Sequence, residues 1–493
     1  MLKLSYGGYL ARFVTGPLVF LGIYSLGVPG LSREGTIILA TLGWAVIWWV
    51  LRPIPWGATS LLPLVVFPFT QTMPIQEAAR LYGQSIFFWI MGTSLLAHAI
   101  QKHGLAKRFA VAFLRLPGVA ATVPRLLFFY MLATGLVSWF VSDASTIALM
   151  MPLGFSLCSY IRNLVWPDEE DAPPESERLK VCFALGTLYA AVAGGVATVA
   201  GAPHNAVAVA QFEALTHRTI GWFTWMRIGV PVFLTVLIAD YFLLRWLFPV
   251  SIRRVPGIAR LLNEEQNSLG KMRVGESLVF FIFLVAVGLF TLPPLLPMLL
   301  GDHHPLCEWL NKVMSVWIVP PILLLLLFGF PTDLRKKEYV LEWKDAAGRV
   351  PWHILLMVTS AVGMTEALAD RGFLEIVREA VREAPISPAV FPYFVGIVTS
   401  LSTNFISGVA VSSIYTGMLI PIAQHIGLNP IAVAFMVPCT AVGVIFPWAG
   451  PTVGTAFGFG AIPLKDLIRV GLLAEIILIV IGGTYVLLLA SAL

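Results

Sequence analysis

A single carboxylate stands in the middle of a long apolar part of this sequence. Asp143 lies in the segment SDASTIALMMP, which follows and precedes runs of apolar residues. An ionisable side chain at membrane depth is costly and marks a functional site by default. We therefore interpret Asp143 as a ligand for a cation or as a carrier of a proton. The alternative is a structural acid whose hydrogen bonds are satisfied within the protein.

A histidine and an asparagine interrupt a second apolar part, in the segment GGVATVAGAPHNA. Histidine can change its charge near neutral pH, so His204 could balance Asp143 or contact an anion. The alternative is that His204 bonds the carbonyl groups of a broken helix. Gly201 and Pro203 favour such a break, because glycine relaxes the chain and proline removes a backbone donor.

The C-terminal half contains two comparable segments, SGVAVSSIYTGMLIP from Ser407 and FPWAGPTVGTAFG with a break at Gly450 and Pro451. They offer hydroxyl and backbone groups in place of charges. The amide groups at a helix N-terminus bind anions, so such a segment can still hold one. The alternative for each serine and glycine is close packing between membrane helices.

The composition determines the elements that must carry these groups. Of the 493 residues, 58% are hydrophobic and 12% charged, whereas soluble domains have about 25% charged residues. The apolar blocks approach or exceed the roughly 20 residues that span a bilayer. This excludes a soluble enzyme and predicts an all-α polytopic membrane protein. The four cysteines lack metal or disulfide spacing, so we expect no metal site beyond Na⁺ and no cofactor.

The positive residues predict how the chain lies in the membrane. The net charge of +5 falls mainly in loops between spans, which indicates orientation and no nucleic-acid partner. If the N-terminus is cytoplasmic, the loops that carry most of the Lys and Arg are on the inner side. The exception is the stretch from Arg371 to Arg382, which we interpret as an amphipathic helix at the membrane interface. We therefore expect a multi-pass protein of the cell (inner) membrane with a cytoplasmic N-terminus.

The order of the interrupted segments occurs twice. Each half contains a span, an apolar segment with polar residues at its middle, and a span broken by glycine and proline. Repeated halves are typical of secondary transporters, whose site lies where the halves meet. We predict about eleven transmembrane helices and two re-entrant hairpins in an inverted-topology repeat. The halves would be residues 1–255 and 256–493, with hairpins near 124–159 and 385–425.

At these segments the sequence resembles the divalent anion:sodium symporter family, whose members carry dicarboxylates, citrate or sulfate. The resemblance covers nearly the whole chain and includes IFFWIMGTSLLAHAIQKHGLAKR, YAAVAGGVATVAGAPHNA and FGFGAIPLKDLIRVGLL. It implies a cation site at each hairpin tip and a substrate between the two tips. The family's Ser-Asn-Thr tips are here Ser142-Asp143-Ala144 and Ser407-Gly408-Val409, so both asparagines and both threonines are replaced.

Carried over by position, the resemblance assigns two sets of residues. The cation set is Ser138, Ser142, Asp143, Gly201, Thr403, Ile406, Gly408 and Gly450. The substrate set is Asp143, Ala144, Ala202, Pro203, His204, Asn205, Ser407, Gly408, Val409, Pro451 and Thr452.

We therefore predict a secondary active transporter of a small di- or tricarboxylate or an inorganic oxyanion such as sulfate. Coupling to Na⁺ or H⁺, elevator-like alternating access and a homodimer in the lipid bilayer are what the resemblance implies. An anion exchanger without net cation coupling is the nearest alternative. A membrane enzyme would need a paired acid and base or a metal cluster, and a channel would show linear flux without counterflow.

Overall fold

The fold is almost entirely helical. A computed structural model describes residues 6–166, 174–252, 257–301, 304–305, 309, 316–380 and 386–489. The first half contains the α-helices Tyr6–Leu26, Arg33–Leu51, Trp56–Thr59, Leu62–Phe69, Ile75–Arg80, Ser85–Lys102, Leu105–Leu114, Val123–Ser138, Asp143–Val165, Pro174–Val196, Pro203–Thr216 and Trp222–Leu247, and the 3-10 helix Val119–Ala121.

The second half has the same character. It contains the α-helices Ile258–Ser268, Val274–Leu300, Val319–Gly329, Trp343–Arg349, Trp352–Ala369, Phe373–Ala380, Phe391–Thr403, Gly408–His425, Ile431–Thr440, Pro451–Gly458 and Leu464–Leu489, and the 3-10 helix Val316–Ile318. The two short strands Pro331–Asp333 and Glu338–Tyr339 pair antiparallel in a polar loop and were not predicted. Within the described residues, 8 helices are long and apolar enough to cross a membrane, and shorter apolar helices accompany them.

A pair of consecutive helices lies at the position of each predicted hairpin, and we call these pairs the first and the second hairpin. In the first hairpin, Val123–Ser138 and Asp143–Val165 are joined by a short link and contact each other. In the second hairpin, Phe391–Thr403 and Gly408–His425 are joined in the same way. The first hairpin extends beyond residue 159, because its second helix continues without interruption through Pro152 to Val165. The predicted start of the second, residue 385, and the predicted boundary of the halves, residue 255, lie outside the described residues.

The two predicted broken helices are also present. The first broken helix consists of Pro174–Val196 and Pro203–Thr216, and the second of Ile431–Thr440 and Pro451–Gly458. In both, the second piece resumes with proline in its first turn, where the missing N–H costs no helical hydrogen bond. The division at residues 1–255 and 256–493 stays a prediction.

The hairpins and the broken helices pack against each other across the predicted boundary of the halves. Pro203–Thr216 of the first broken helix packs against Gly408–His425 of the second hairpin. Reciprocally, Pro451–Gly458 of the second broken helix packs against Asp143–Val165 of the first hairpin. Gln211 fixes one of these contacts, because its fully buried side-chain amide donates to the carbonyl of Ser413 at 3.2 Å. Each hairpin therefore packs against a broken helix from the other predicted half.

An ion pair joins the helices that flank the first hairpin. The Arg108 guanidinium donates to both carboxylate oxygens of Glu276, and also to the carbonyl oxygens of Leu269 and Gly270 at 3.2 and 3.0 Å. The Glu276 side chain is only 5% exposed. Removing one partner of a buried pair leaves an uncompensated charge, at a cost of about 3–5 kcal/mol.

We expect Arg108→Gln to destabilise the protein by roughly 3 kcal/mol, at the lower end of that range because Arg108 is partly exposed. The matched control is Arg260→Gln, since the Arg260–Glu264 pair lies at the surface, with side chains 82% and 59% exposed. The measurement is thermal unfolding of the purified protein in detergent. Equal melting temperatures for the two variants would contradict the expectation.

Candidate functional site

The tip of the first hairpin places Asp143 against the first broken helix. Asp143 is the first residue of its helix and only 5% exposed. Ser138, at the end of the preceding helix, donates from Oγ to Asp143 Oδ1 at 2.8 Å. A Cβ on Gly195 would overlap Oδ1 and lie 3.0 Å from Asp143 Cγ. The glycine thus lets the carboxylate reach the backbone at the break.

Asn205 closes the break from the other side. Its Nδ2 donates to the carbonyl oxygens of Gly195 at 2.7 Å and Thr198 at 2.8 Å. Thr198 itself donates from Oγ1 to the carbonyl of Trp139 at the hairpin tip and accepts from the N–H of Gly201. The Oδ1 atom of Asn205 is buried and has no hydrogen-bond partner in the described part of the chain. The first tip is therefore rich in oxygen atoms, which are the ligands that hard cations prefer.

A cavity of about 40 Å³ adjoins this tip. Its lining includes Ser142, Gly201, Ala202 and Pro203 from the predicted site and Thr93 from the helix Ser85–Lys102. A cavity measured in this way needs about 10–15 Å³ to hold a water molecule, so this one has room for a few waters or a small ion and is far below the roughly 300 Å³ of an ordinary ligand pocket. A dicarboxylate would need the hairpin and the helix Ser85–Lys102 to separate.

The second hairpin tip brings His204 and Gly408 together. Ser412 donates from Oγ to the carbonyl of His204 at 2.8 Å, and a Cβ on Gly408 would lie 3.4 Å from His204 Nδ1. His204 is buried and belongs to the helix Pro203–Thr216 of the first broken helix. The first broken helix therefore contacts the second tip. The side chains of His204 and Asp143 both belong to the described part of the chain, and no hydrogen bond or ion pair joins them. No direct contact therefore supports the prediction that His204 neutralises the charge of Asp143.

The other predicted residues lie in the hairpin links, at the breaks and at the ends of the helices beside them. Ser407 accepts from the N–H of Ala410 at 3.2 Å and caps its helix, whereas the Ser142 hydroxyl makes no such cap. Thr403 donates to the carbonyl of Thr399 at 2.6 Å. The remaining members are Ala144, Ala202, Ile406, Val409, Gly450, Pro451 and Thr452; Ala202 and Val409 are buried, and Pro451 is exposed.

A buried carboxylate that was not predicted from the sequence lies at the second tip. Glu475, in the last helix Leu464–Leu489, is 4% exposed and accepts a hydrogen bond from the Ser400 hydroxyl. Asn404 Nδ2 and the N–H of Val444 also donate to its Oε1, at 2.8 and 3.0 Å. A lone glutamate within a 26-residue apolar helix was the available signal, because intramembrane acids are functional candidates.

A larger cavity of about 450 Å³ lies at the far end of Pro203–Thr216. Its lining includes Glu213, which accepts from Trp317 Nε1 at 2.8 Å, and Glu366, which accepts from Gln84 Nε2 at 3.4 Å. None of the predicted site residues is among the residues that line it. Two carboxylates repel a dianion, so this cavity does not resemble an anion site.

Comparison with known proteins identifies the family. The family described as "Sodium:sulfate symporter transmembrane region" matches residues 10–491. The chain belongs to this family. Membership confirms the resemblance found in the sequence and makes the chain a cation-coupled secondary transporter. It also places the protein in a transporter family and not in a family of enzymes.

Curated relatives agree over the full length. The chain is 26% identical over 483 residues to the "Sodium-dependent dicarboxylate transporter SdcS" of Staphylococcus saprophyticus, covering 96% of this chain and 90% of that protein. It is also 26% identical, with the same coverage, to SdcS of Staphylococcus aureus strain RF122. The chain therefore spans almost all of these transporters.

Solved structures share the fold. The YdaH transporter of Alcanivorax borkumensis matches with a TM-score of 0.55 and 13% identity, covering 97% of this chain and 96% of that one. MtrF of Neisseria gonorrhoeae matches with a TM-score of 0.52 and 10% identity, covering 95% and 97%. At these identities the likeness concerns the fold alone.

We expect Gly195→Ala to weaken the cation affinity of this transporter by roughly tenfold to a hundredfold. The added methyl displaces the Asp143 carboxylate; overpacking costs about 1–3 kcal/mol, and about 1.4 kcal/mol is a factor of ten. The control is Gly22→Ala, because a Cβ on Gly22 meets nothing within 4 Å. The measurement is uptake of anion as a function of cation concentration, and equal half-saturation in both variants would contradict the expectation.

Proposed function

We propose that this protein is a symporter that moves a small anion together with a cation held at the first hairpin tip. The observation that carries the proposal is the buried carboxylate of Asp143, which faces the broken backbone at Gly195 beside the hydroxyl of Ser138. A carboxylate, a hydroxyl and free carbonyl or amide oxygens suit Na⁺, and a buried carboxylate also suits H⁺. The cation set is thus Ser138, Ser142, Asp143 and Gly201 in the first half.

The substrate is proposed to lie between the two tips. Four helices begin at the two tips and the two breaks, with Asp143, Pro203, Gly408 and Pro451 as their first residues. The backbone amide groups at a helix N-terminus stabilise a bound anion. His204, Asn205 and Ser407 add side-chain polar groups around the same region. Since the described site offers no arginine or lysine here, recognition of the anion is proposed to depend on backbone amides and hydroxyls.

A di- or tricarboxylate or an inorganic oxyanion such as sulfate is the proposed substrate class. The SdcS relatives are named for dicarboxylates and the family for sulfate, and both are small anions with charge at two or more oxygens. The small cavity at the first tip supports a mechanism in which the hairpin-bearing elements move relative to Ser85–Lys102. This is the elevator-like movement implied by the resemblance.

We also propose a homodimer in the cell (inner) membrane with the N-terminus on the cytoplasmic side. The distribution of Lys and Arg supports this orientation. The first helix has only 6% of its apolar window buried within the chain, so it is available to lipid or to a partner subunit. Cysteine accessibility in intact cells and cross-linking in native membranes test these two points separately.

We expect purified protein in proteoliposomes to take up radiolabelled succinate, citrate or sulfate when an inward Na⁺ or H⁺ gradient is imposed. The two gradients are applied one at a time, with and without unlabelled anion inside the vesicles. Uptake that follows a cation gradient into empty vesicles supports symport. Uptake that requires internal anion and ignores both gradients would establish the exchanger and contradict the proposal.

We expect Asp143→Asn to abolish the stimulation of uptake by the coupling cation, because the amide keeps the shape but not the charge of the ligand. Glu366→Gln is the matched control, since that carboxylate lies in the larger cavity with Gln84. Uptake is measured against cation concentration for both variants. An unaltered cation dependence in Asp143→Asn would remove this residue from the coupling mechanism.

A further inference from the structure

The two hairpin tips differ in how their oxygen atoms are used. At the first tip, Asn205 Oδ1 is buried without a hydrogen-bond partner in the described part of the chain, and the Ser142 hydroxyl makes no helix-capping bond. Both atoms lie in segments that converge on Gly201 and Gly195 beside Asp143. Buried polar atoms are nearly always paired, so unpaired oxygens at such a place indicate room for a ligand.

At the second tip the buried carboxylate is that of Glu475. Asp143 at the first tip belongs to the hairpin itself, whereas Glu475 belongs to another helix. It comes from the last helix and accepts from Ser400 on the hairpin, Asn404 at the tip and the N–H of Val444 in the break. A carboxylate has about four acceptor positions, of which three are therefore used by protein donors. These donors therefore occupy the carboxylate oxygens that Glu475 would otherwise offer to a cation.

Asn404 is saturated in the same way. Its Nδ2 donates to the carbonyl of Ser400 at 3.0 Å and to Glu475 at 2.8 Å. Its Oδ1 accepts from the N–H of Ile445 at 3.1 Å. Unlike Asn205 at the first tip, Asn404 therefore has no side-chain atom without a partner.

The backbone around the second tip is also closed. A Cβ on Gly443 would lie 2.8 Å from the carbonyl oxygen of Thr403, and a Cβ on Gly471 would lie 2.5 Å from that of Val444. The break thus packs directly on the hairpin and on the last helix. The nearby hydroxyls each make one protein hydrogen bond, Thr403 as a donor to the carbonyl of Thr399 and Ser407 as an acceptor from the N–H of Ala410.

We infer that Glu475 is a positioning residue that locks the second hairpin tip to its broken helix, and that this tip binds no coupling cation. The proposal rests on the proposed function, in which a cation at the first tip drives transport. It replaces the pair of cation sites implied by the family with a single site around Asp143. Accordingly Thr403, Ile406, Gly408 and Gly450 would not be cation ligands.

Equilibrium binding of ²²Na⁺ to the purified full-length protein tests this inference directly. We expect wild type to bind one Na⁺ per chain, Asp143→Asn to bind none, and Glu475→Gln still to bind one. Glu475→Gln keeps the size of the side chain and removes its charge, so it separates a cation ligand from a positioning group. We expect its uptake rate to fall while its Na⁺ count stays the same.

Two Na⁺ per chain in wild type would overturn the inference, most directly if the count fell to one in Glu475→Gln. Absence of Na⁺ binding by wild type would also overturn it, because the inference takes Na⁺ as the coupling cation and places it at the first tip. Since the wild-type count needs no variant, a variant that fails to fold does not weaken the test. Failure of the proposed function is seen separately, as uptake that ignores both the Na⁺ and the H⁺ gradient.

Discussion

The constraint on which the structure depends is that backbone groups freed at membrane depth must find partners inside the protein. A broken helix leaves carbonyl and N–H groups without their usual bonds, and lipid cannot satisfy them. Asn205 supplies donors to the carbonyls of Gly195 and Thr198 in the first break. Glu475 and Asn404 supply acceptors to the N–H groups of Val444 and Ile445 in the second. The two breaks therefore exist because particular polar side chains are placed beside them.

Hydrogen bonds to freed backbone groups also join the first break to its hairpin tip and the second hairpin to the first broken helix. Thr198 bonds the tip residue Trp139 within the first half, and Ser412 of the second hairpin bonds the carbonyl of His204 in the first broken helix. A hairpin cannot move far from its break without leaving such groups unsatisfied, at about 1–3 kcal/mol for each. The hairpins and broken helices are thus expected to move as one body, past helices such as Ser85–Lys102 that contribute few of these bonds.

Much of this arrangement could be predicted from the sequence, and the parts that could not have a common cause. The glycine–proline breaks and the hairpins carry local signals, so their positions near Gly201, Gly450, Ser142 and Ser407 could be read from residue type and order. The contact of His204 with the second tip could not, because it depends on how the halves pack. Glu475 was missed although its charge is conspicuous, since its helix contains no break and Glu475 lies beyond the segment FGFGAIPLKDLIRVGLL that resembles the family.

The placement of negative charge gives a physical reason for coupling. Two unit charges about 4 Å apart repel by about 4 kcal/mol at an effective dielectric constant of about 20. An ionised Asp143 close to the substrate would therefore oppose anion binding by a factor of roughly a thousand, at about 1.4 kcal/mol per factor of ten. A cation bound by Asp143 cancels this repulsion, and by linkage the anion strengthens cation binding equally. In this protein the replacement of a tip asparagine by aspartate would make the anion site depend more strongly on the cation, because an empty cation site then carries a full negative charge.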